Sequence, residues 1–224
     1  SVLAAIANGS HTETRMAGVL GRDRQSLAWP LRILTDAGFV VRDDDALRQR
    51  RPTWRVAEPI VRFHYVITRP DLARFEERRA AEAWADAQER FSAHVLGPHF
   101  EDLARRWTAR HASETTTGGR LTRVGATQVN DPAGRSQFEL DVVGLAERGG
   151  IRLIGEAKFP TVPPRVEALA RLERIRELLA AKAPAEGAKL AVFSATGFDA
   201  ELVRVAAVRN DVELVDLERL YTGD

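Results

Sequence analysis

The chain has 224 residues, an ordinary apolar fraction and nearly balanced charge, with 33 Lys and Arg against 32 Asp and Glu. This length fits one domain of ordinary size plus one small domain, and the apolar content allows a buried core. The absence of cysteine excludes disulfides, thiolate zinc sites and cysteine nucleophiles, and it agrees with a cytoplasmic location, which we expect. No apolar run approaches the roughly 20 residues of a membrane span, so we expect no membrane partner.

The charge balance also limits how the chain could bind nucleic acid. A net charge of +1 gives no strong overall attraction to a polyanion. Any contact with DNA must therefore come from local basic patches.

Residues 1–67 have the pattern of short helices followed by a β-hairpin. Apolar residues at helical spacing, each run ended by a glycine, indicate three short helices. Ser10 and Glu13 have the spacing of a capping box at the start of the second helix. Two short apolar strands then enclose a loop rich in aspartate and arginine. This order predicts an N-terminal winged helix-turn-helix domain.

The third helix, predicted over about 26–37, presents a polar face opposite its leucines. The residues on that face are Gln25, Trp29, Arg32 and Asp36. Glutamine and arginine suit base edges and phosphates in a major groove, whereas Asp36 and an exposed Trp29 favour docking on another protein domain. Both interpretations stay open. The wing arginines either contact phosphates without regard to sequence or lie in a solvated loop offset by the aspartates before them. These arginines are Arg48, Arg50 and Arg51.

The rest of the chain changes from a charged helix to an α/β pattern. Residues 68–92 are rich in Ala, Glu and Arg and predict a helical connector. Within 93–224, an amphipathic helix over Pro98–Arg110 precedes three strands, and helices and strands then alternate. That alternation predicts crossover connections and a mixed, partly parallel sheet flanked by helices.

The pattern of this region predicts two neighbouring strands, at about 138–145 and 151–158, that would bring acidic residues together. Side chains alternate between the faces of a strand, so pairing of these strands lets Asp141 and Glu156 converge. Two close carboxylates are unfavourable unless a cation lies between them, and Mg²⁺ or Mn²⁺ would suit their oxygens. Lys158 would point into the same space, and Glu101 on the preceding helix could hold the water shell of the metal.

The segments "FELDVVGL", "IRLIGEAKF" and "PHFEDLAR" resemble the D…E-x-K signature and first core helix of the PD-(D/E)XK nuclease superfamily. The wider order, from "AIANG" through "LGRDRQSLAWPLRILTDAGFVVR" to "WRVAEPIVRFHY", is similar to the C-terminal part of a family of archaeal and bacterial AAA-type ATPases. In that family a nucleotide-binding domain is followed by a winged helix and a nuclease-like domain. This chain lacks a G-x-x-x-x-G-K-[ST] loop and starts at Ser1, so the resemblance implies a fragment or a stand-alone derivative.

The resemblance implies a DNA-binding protein with a Mg²⁺-dependent nuclease domain. Asp141 and Glu156 would be the metal ligands, Lys158 the charge stabiliser and water positioner, and Glu101 an auxiliary acid. The alternative is a non-catalytic module that binds DNA or docks on an AAA-type ATPase, in the same chain or in trans, with the nuclease fold as a scaffold. Glu139 would be either a further ligand or a solvated partner of an arginine. Arg171 is expected to pair with Glu167 on a solvent-exposed helix face.

Overall fold

A computed structural model describes residues 1–48, 52–159, 162–180, 185 and 187–224, and it shows a mixed α/β protein. These residues form two compact units. The first comprises Ser1–Asp44 and the described part of Gln49–Pro98, and the second comprises Asp45–Arg48 and His99–Asp224. The boundary near residue 98 lies after the predicted connector, and residues 68–92 fall within the first unit.

The first unit contains short helices around a two-stranded antiparallel sheet. In chain order its elements are α1 (Val2–Ala7), α2 (Glu13–Leu20), a 3₁₀ turn (Arg24–Leu27), α3 (Ala28–Asp36), β1 (Val40–Asp44), β2 (Pro52–Val56), α4 (Pro59–Phe63), a π-helical turn (His64–Thr68), α5 (Leu72–Glu76), α6 (Ala80–Phe91) and a second π-helical turn (Ser92–Leu96). The predicted order of three helices and a hairpin is therefore present.

The start of α2 differs from the predicted capping box. Thr12, and not Ser10, is the N-cap, and its side chain accepts a hydrogen bond from the N–H of Arg15. Ser10 is buried instead. Because a threonine two residues later can accept from the same helix terminus, the serine–glutamate spacing alone does not fix the cap. The error moves the start of the helix without changing its place in the chain.

The predicted connector packs against the rest of the first unit through aromatic and aliphatic side chains. Trp84 and Phe91 of α6 lie with their ring centroids 5.1 Å apart, and Phe63 contacts both rings. Ala87 is fully buried beside Ile67 in the same cluster. These contacts anchor α6 within the first unit.

The second unit contains a five-stranded sheet with helices on both faces. In chain order its elements are α7 (Gly97–Arg110, which begins just before the unit boundary), α8 (Glu114–Thr117), β3 (Arg123–Asp131), β4 (Ser136–Leu145), β5 (Ile151–Lys158), α9 (Val166–Ala180), β6 (Lys189–Ser194), α10 (Ala200–Ala207), β7 (Val212–Val215) and α11 (Leu217–Thr222). The spatial order is β3-β4-β5-β6-β7; β3, β4 and β5 pair antiparallel, and β5, β6 and β7 pair parallel.

Neighbouring residues of the central strands pack on opposite faces of this sheet. On one face, Val143 and Ile154 belong to a buried cluster with the apolar side of α9. On the other face, Val142 and Leu153 pack with Trp107 of α7. Strands buried on both faces need apolar residues at successive positions, which explains the nearly continuous apolar runs in β4, β5 and β6. The buried polar residues of these strands, which are Asp141, Glu156 and Ser194, are therefore exceptions that mark a candidate site.

The loop between β1 and β2 contributes residues Asp45–Arg48 to the second unit. Ala46 is buried in the core of that unit, and its N–H donates to the carbonyl of Ala126 at 2.8 Å. The hydroxyl of Thr127 donates to Asp45 Oδ1 at 2.7 Å. The first part of the predicted wing loop is thus held by hydrogen bonds rather than solvated throughout.

A helix that crosses a bilayer needs about 20 mostly apolar residues. Among the described residues, no helix is both long and apolar enough to do so.

Candidate functional site

The carboxyl end of β5 lies beside β4, and this pairing brings two buried carboxylates together. Val142 pairs with Gly155, so the antiparallel register places Asp141 next to Glu156 at the adjoining position. The Ala157 N–H donates to Asp141 Oδ2 at 2.8 Å, which fixes the aspartate against β5. Asp141 is 9% exposed and Glu156 is 5% exposed. Two acids at this depth in a strand core need a compensating cation.

Two cationic side chains flank Glu156. Lys158 Nζ lies 3.0 Å from Glu156 Oε1, and Arg171 Nε, from α9, lies 3.8 Å from Glu156 Oε2. The side chains of Lys158 and Arg171 are 51% and 40% exposed, so both reach from the buried carboxylate towards solvent. Lys158 also pairs in register with Ser194 of β6, which places it at the edge where the parallel strands end. Ligands of open α/β sheets bind in the crevice outside this kind of edge.

Helix α7 adds Glu101 and Arg105 to the same place. Arg105 Nη1 donates to the main-chain carbonyl of Asp141 at 3.1 Å and lies 3.9 Å from Glu101 Oε2. The two residues are one helical turn apart, so both point from α7 towards β4. The structure therefore brings together all four residues that the sequence singled out for chemistry: Glu101, Asp141, Glu156 and Lys158.

Burial and mutual repulsion shift the ionisation of this cluster. Burial, reinforced by the charge of Asp141, raises the pKa of Glu101 to about 7, against the opposing effect of Arg105 and Lys158. The pKa of Asp141 is also raised, mainly by burial, although the hydrogen bond from the Ala157 N–H favours its ionised form. Burial is the largest cause of both shifts, and the neighbouring cations offset it only in part.

We predict that the pKa of Glu101 makes the metal-free protein less stable as pH rises. The folded chain binds the Glu101 proton more tightly than the unfolded chain, whose usual pKa is 4.5. The stabilising contribution is therefore complete below that value and is lost as pH rises through about 7. For a fully buried group, the difference between the folded and unfolded pKa values would change the free energy of unfolding by roughly 3 kcal/mol. The side chain is 35% exposed, so solvent screening reduces the expected effect to about 1–2 kcal/mol.

Urea unfolding with a chelator present, at about pH 5 and about pH 8, measures this effect. Glu101→Gln should remove about 1–2 kcal/mol of the fall in unfolding free energy that the unaltered chain shows between the two pH values. Glu167→Gln, on the exposed first turn of α9, is the matched control and should keep the fall. An identical pH dependence in all three proteins would contradict the assignment of the raised pKa to Glu101.

The residues present fit a divalent metal ion that prefers oxygen. Asp141 and Glu156 offer two buried carboxylates side by side, and Mg²⁺ commonly takes one or two carboxylates and keeps several waters. Across the described residues, no group of three or more His, Cys, Asp or Glu side chains is arranged to hold a metal. A site here would therefore depend on the two carboxylates and on water, which suits Mg²⁺ or Mn²⁺ better than Zn²⁺.

Two expectations about neighbouring charges are wrong. Glu139 is exposed, and its partner is the amide of Gln128 at 3.5 Å rather than an arginine. Arg171 pairs with Glu156 across the site and not with Glu167 along the helix. Spacing along α9 predicted the second pair, but the docking of α9 against the sheet places Glu156 within reach of Arg171 instead. Arg105 and Arg171 are the site residues that sequence reasoning missed.

The predicted nucleic-acid-binding residues of the first unit lie in solvent. Gln25, Trp29 and Arg32 are all exposed, opposite the buried Leu27 and Leu31. They therefore form the exposed face that the helical spacing predicts. Of the three wing arginines, Arg50 and Arg51 lie outside the described residues. The main-chain N–H of Arg48 donates a hydrogen bond to Asp45 Oδ1 at 2.8 Å.

The chain was compared with known proteins at the level of both sequence and structure. No family model, no curated protein and no solved structure matches it. The function proposed for the chain therefore rests on the geometry of this cluster and on the resemblance carried by its motifs.

Proposed function

We propose that the second unit is a PD-(D/E)XK-type nuclease that hydrolyses phosphodiester bonds in DNA with Mg²⁺ or Mn²⁺. One observation carries the proposal: Glu101, Asp141, Glu156 and Lys158 come from three separate elements and meet at the carboxyl end of β5. An accidental strand end with a Glu–Lys pair would not require the buried Asp141 or the approach of α7. The mixed sheet with helices on both faces is compatible with this fold.

Asp141 and Glu156 would hold the metal. When bound, a divalent ion would polarise a phosphoryl oxygen and lower the pKa of a bound water, so that hydroxide becomes available near neutral pH. The hydrogen bond from the Ala157 N–H holds one oxygen of Asp141 and leaves the other for a ligand. Burial of both carboxylates excludes bulk water and strengthens their attraction for a cation.

Lys158 and Glu101 would act on the reacting groups. The amine of Lys158 reaches beyond Glu156 towards solvent, where it can stabilise the negative charge that develops on a phosphoryl group. Glu101, whose pKa is raised to about 7, can exchange a proton at neutral pH and order water at the site. The two residues thus have separate roles, one electrostatic and one as an auxiliary acid.

The first unit would serve as a winged helix that brings DNA to the nuclease unit. Gln25 and Arg32 lie exposed at α3 and its preceding turn, where they can contact base edges or phosphates. The AAA-type resemblance further suggests an ATPase domain as a partner, in the same longer chain or in trans. Such a partner would position the DNA, while hydrolysis would take place at the second unit.

A second candidate function is protein docking, with the nuclease fold as a scaffold. Trp29 is 65% exposed and Ile33, one turn later, is 43% exposed on α3. Adjacent exposed apolar side chains on a surface helix favour contact with a protein more than contact with phosphates. In this interpretation the face of α3 would bind an ATPase domain, and no DNA cleavage would occur.

A cleavage assay with the unaltered chain separates the two functions. The protein is incubated with supercoiled plasmid, linear duplex and single-stranded DNA, each with Mg²⁺, with Mn²⁺ and with a chelator. We expect cleavage of at least one substrate with metal and none with the chelator, because the carboxylates alone cannot activate water. No cleavage of any substrate with either metal would overturn the nuclease function and favour docking.

A further inference from the structure

Arg171 occupies an unusual position at the candidate site. Its guanidinium carbon lies 5.3 Å from the centroid of the Phe138 ring, which orients the plane of the group. Its Nε is buried, and no residue in the described part of the chain accepts a hydrogen bond from it. The distance of 3.8 Å to Glu156 gives charge attraction but is too long for a hydrogen bond. The side chain is thus held in place while its Nε has no hydrogen-bond acceptor among the described residues.

The other two arginines of α9 show what a structural arginine looks like in this protein. Arg174 donates two hydrogen bonds to Asp131, at 3.1 and 3.2 Å. Arg176 donates to Asp211 at 2.8 Å and to a main-chain carbonyl. Both use their donors within the protein. Arg171, which forms no such bond with any described residue, remains available for an acceptor that the protein does not supply.

The charges around Arg171 indicate which acceptor would fit. Lys158 and Arg171 flank one carboxylate, Glu156, and both reach towards solvent. A divalent ion between Asp141 and Glu156 would add two positive charges and would leave the two side chains in need of another anion. A phosphodiester carries a negative charge and two free oxygens, which match the fork of a guanidinium.

We propose that Arg171 is a phosphate-binding residue that, together with Lys158, holds a phosphodiester group of the DNA strand at the candidate metal site. The identity of this ligand rests on the proposed nuclease function. Stacking on Phe138 positions the guanidinium, Glu156 attracts it, and its free edge binds the phosphate. Lys158 then approaches the same group from the other side of Glu156.

The test measures how Arg171→Gln changes DNA binding and its salt dependence. Affinity for a labelled duplex is measured in the otherwise unaltered chain with Ca²⁺, which takes the same oxygen ligands but is a poor activator of water, and KM and kcat are measured with Mg²⁺. Arg171→Gln should weaken binding and raise KM by about tenfold and lower the slope of log K against log salt by about 1. Arg171→Lys should keep the slope, because it retains the charge, but should recover only part of the affinity.

Arg204→Gln is the matched control, because Arg204 is exposed on α10 and its side chain bonds to the Ala200 carbonyl of its own helix. It should change neither affinity nor slope. An Arg171→Gln protein with unchanged affinity and slope, or with a lower melting temperature as its only effect, would overturn the phosphate assignment. Arg171-dependent binding without cleavage by the unaltered chain would reject the nuclease function alone, and an unaltered chain that binds no DNA would overturn both.

Discussion

Changing Asp141 to asparagine is expected to lower the rate of metal-dependent DNA cleavage by about 1,000-fold. Asparagine keeps the shape of the side chain and can still accept the hydrogen bond from the Ala157 N–H, so the strand pairing should survive. It removes one of the two charged side chains that we propose as metal ligands. Loss of several kcal/mol of transition-state stabilisation follows, and each 1.4 kcal/mol is worth about tenfold in rate.

The same substitution should abolish stabilisation by the metal. A ligand that binds only the folded state at about 100 times its Kd raises the unfolding free energy by about 2.7 kcal/mol. We therefore expect Mn²⁺ to raise the melting temperature of the unaltered chain but not of Asp141→Asn. Without metal the variant should be at least as stable as the unaltered chain, because burial of the charged carboxylate is relieved.

Asp216→Asn is the control for this experiment. Asp216 is the N-cap of α11, where its Oδ1 accepts from the Arg219 N–H at 2.9 Å, and asparagine caps a helix about as well as aspartate does. This variant should cleave DNA and respond to Mn²⁺ as the unaltered chain does. If Asp141→Asn cleaved at the unaltered rate, the metal would have to bind elsewhere and the candidate site would be wrong.

The part of this site that lies on the sheet could be predicted because strand geometry is regular. Apolar runs predicted strands at about 138–145 and 151–158, and the structure has β4 at Ser136–Leu145 and β5 at Ile151–Lys158. Alternation then put Glu156 and Lys158 on one side of their strand. A short turn limits the register of a hairpin, so Asp141 could be expected near Glu156. The register itself needed the structure.

The site residues that come from helices were harder to predict, because their positions depend on how α7 and α9 pack against the sheet. Amphipathic spacing gave α7 and α9, but not which turn of each helix faces the carboxyl end of β5. Glu101 could be named because it lies on the amphipathic helix that precedes the sheet, whereas Arg105 and Arg171 could not be distinguished from the many other arginines of the chain. The short helices α8 and α11 were missed for a related reason: a single turn has too few residues to show a period.

The ionisation of Lys158 decides between two roles for it in hydrolysis. Burial acts to lower its pKa, but the charges of Glu156 and Asp141 outweigh that effect, so the pKa of Lys158 is raised. In the metal-free chain the amine therefore carries its proton at neutral pH and cannot take one from water. In the proposed hydrolysis the lysine would therefore contribute its positive charge and its hydrogen-bond donors, and it would not act as the base that takes a proton from the attacking water.

We therefore expect Lys158→Met to lower kcat for DNA cleavage by about 100-fold without weakening the metal site. Methionine keeps much of the length and apolar stem of lysine but removes its charge. Glu156 then has no lysine that competes with the metal for its carboxylate. Mn²⁺ should therefore stabilise the variant at least as well as it stabilises the unaltered chain. Cleavage rates and the Mn²⁺-dependent melting temperature are measured on the same preparation. Arg110→Met, which removes an exposed charge at the end of α7, is the control and should cleave normally. A Lys158→Met protein that cleaves at the unaltered rate would show that the lysine only neutralises Glu156, and a loss of Mn²⁺ stabilisation would show that it maintains the metal ligands instead of acting on the phosphate.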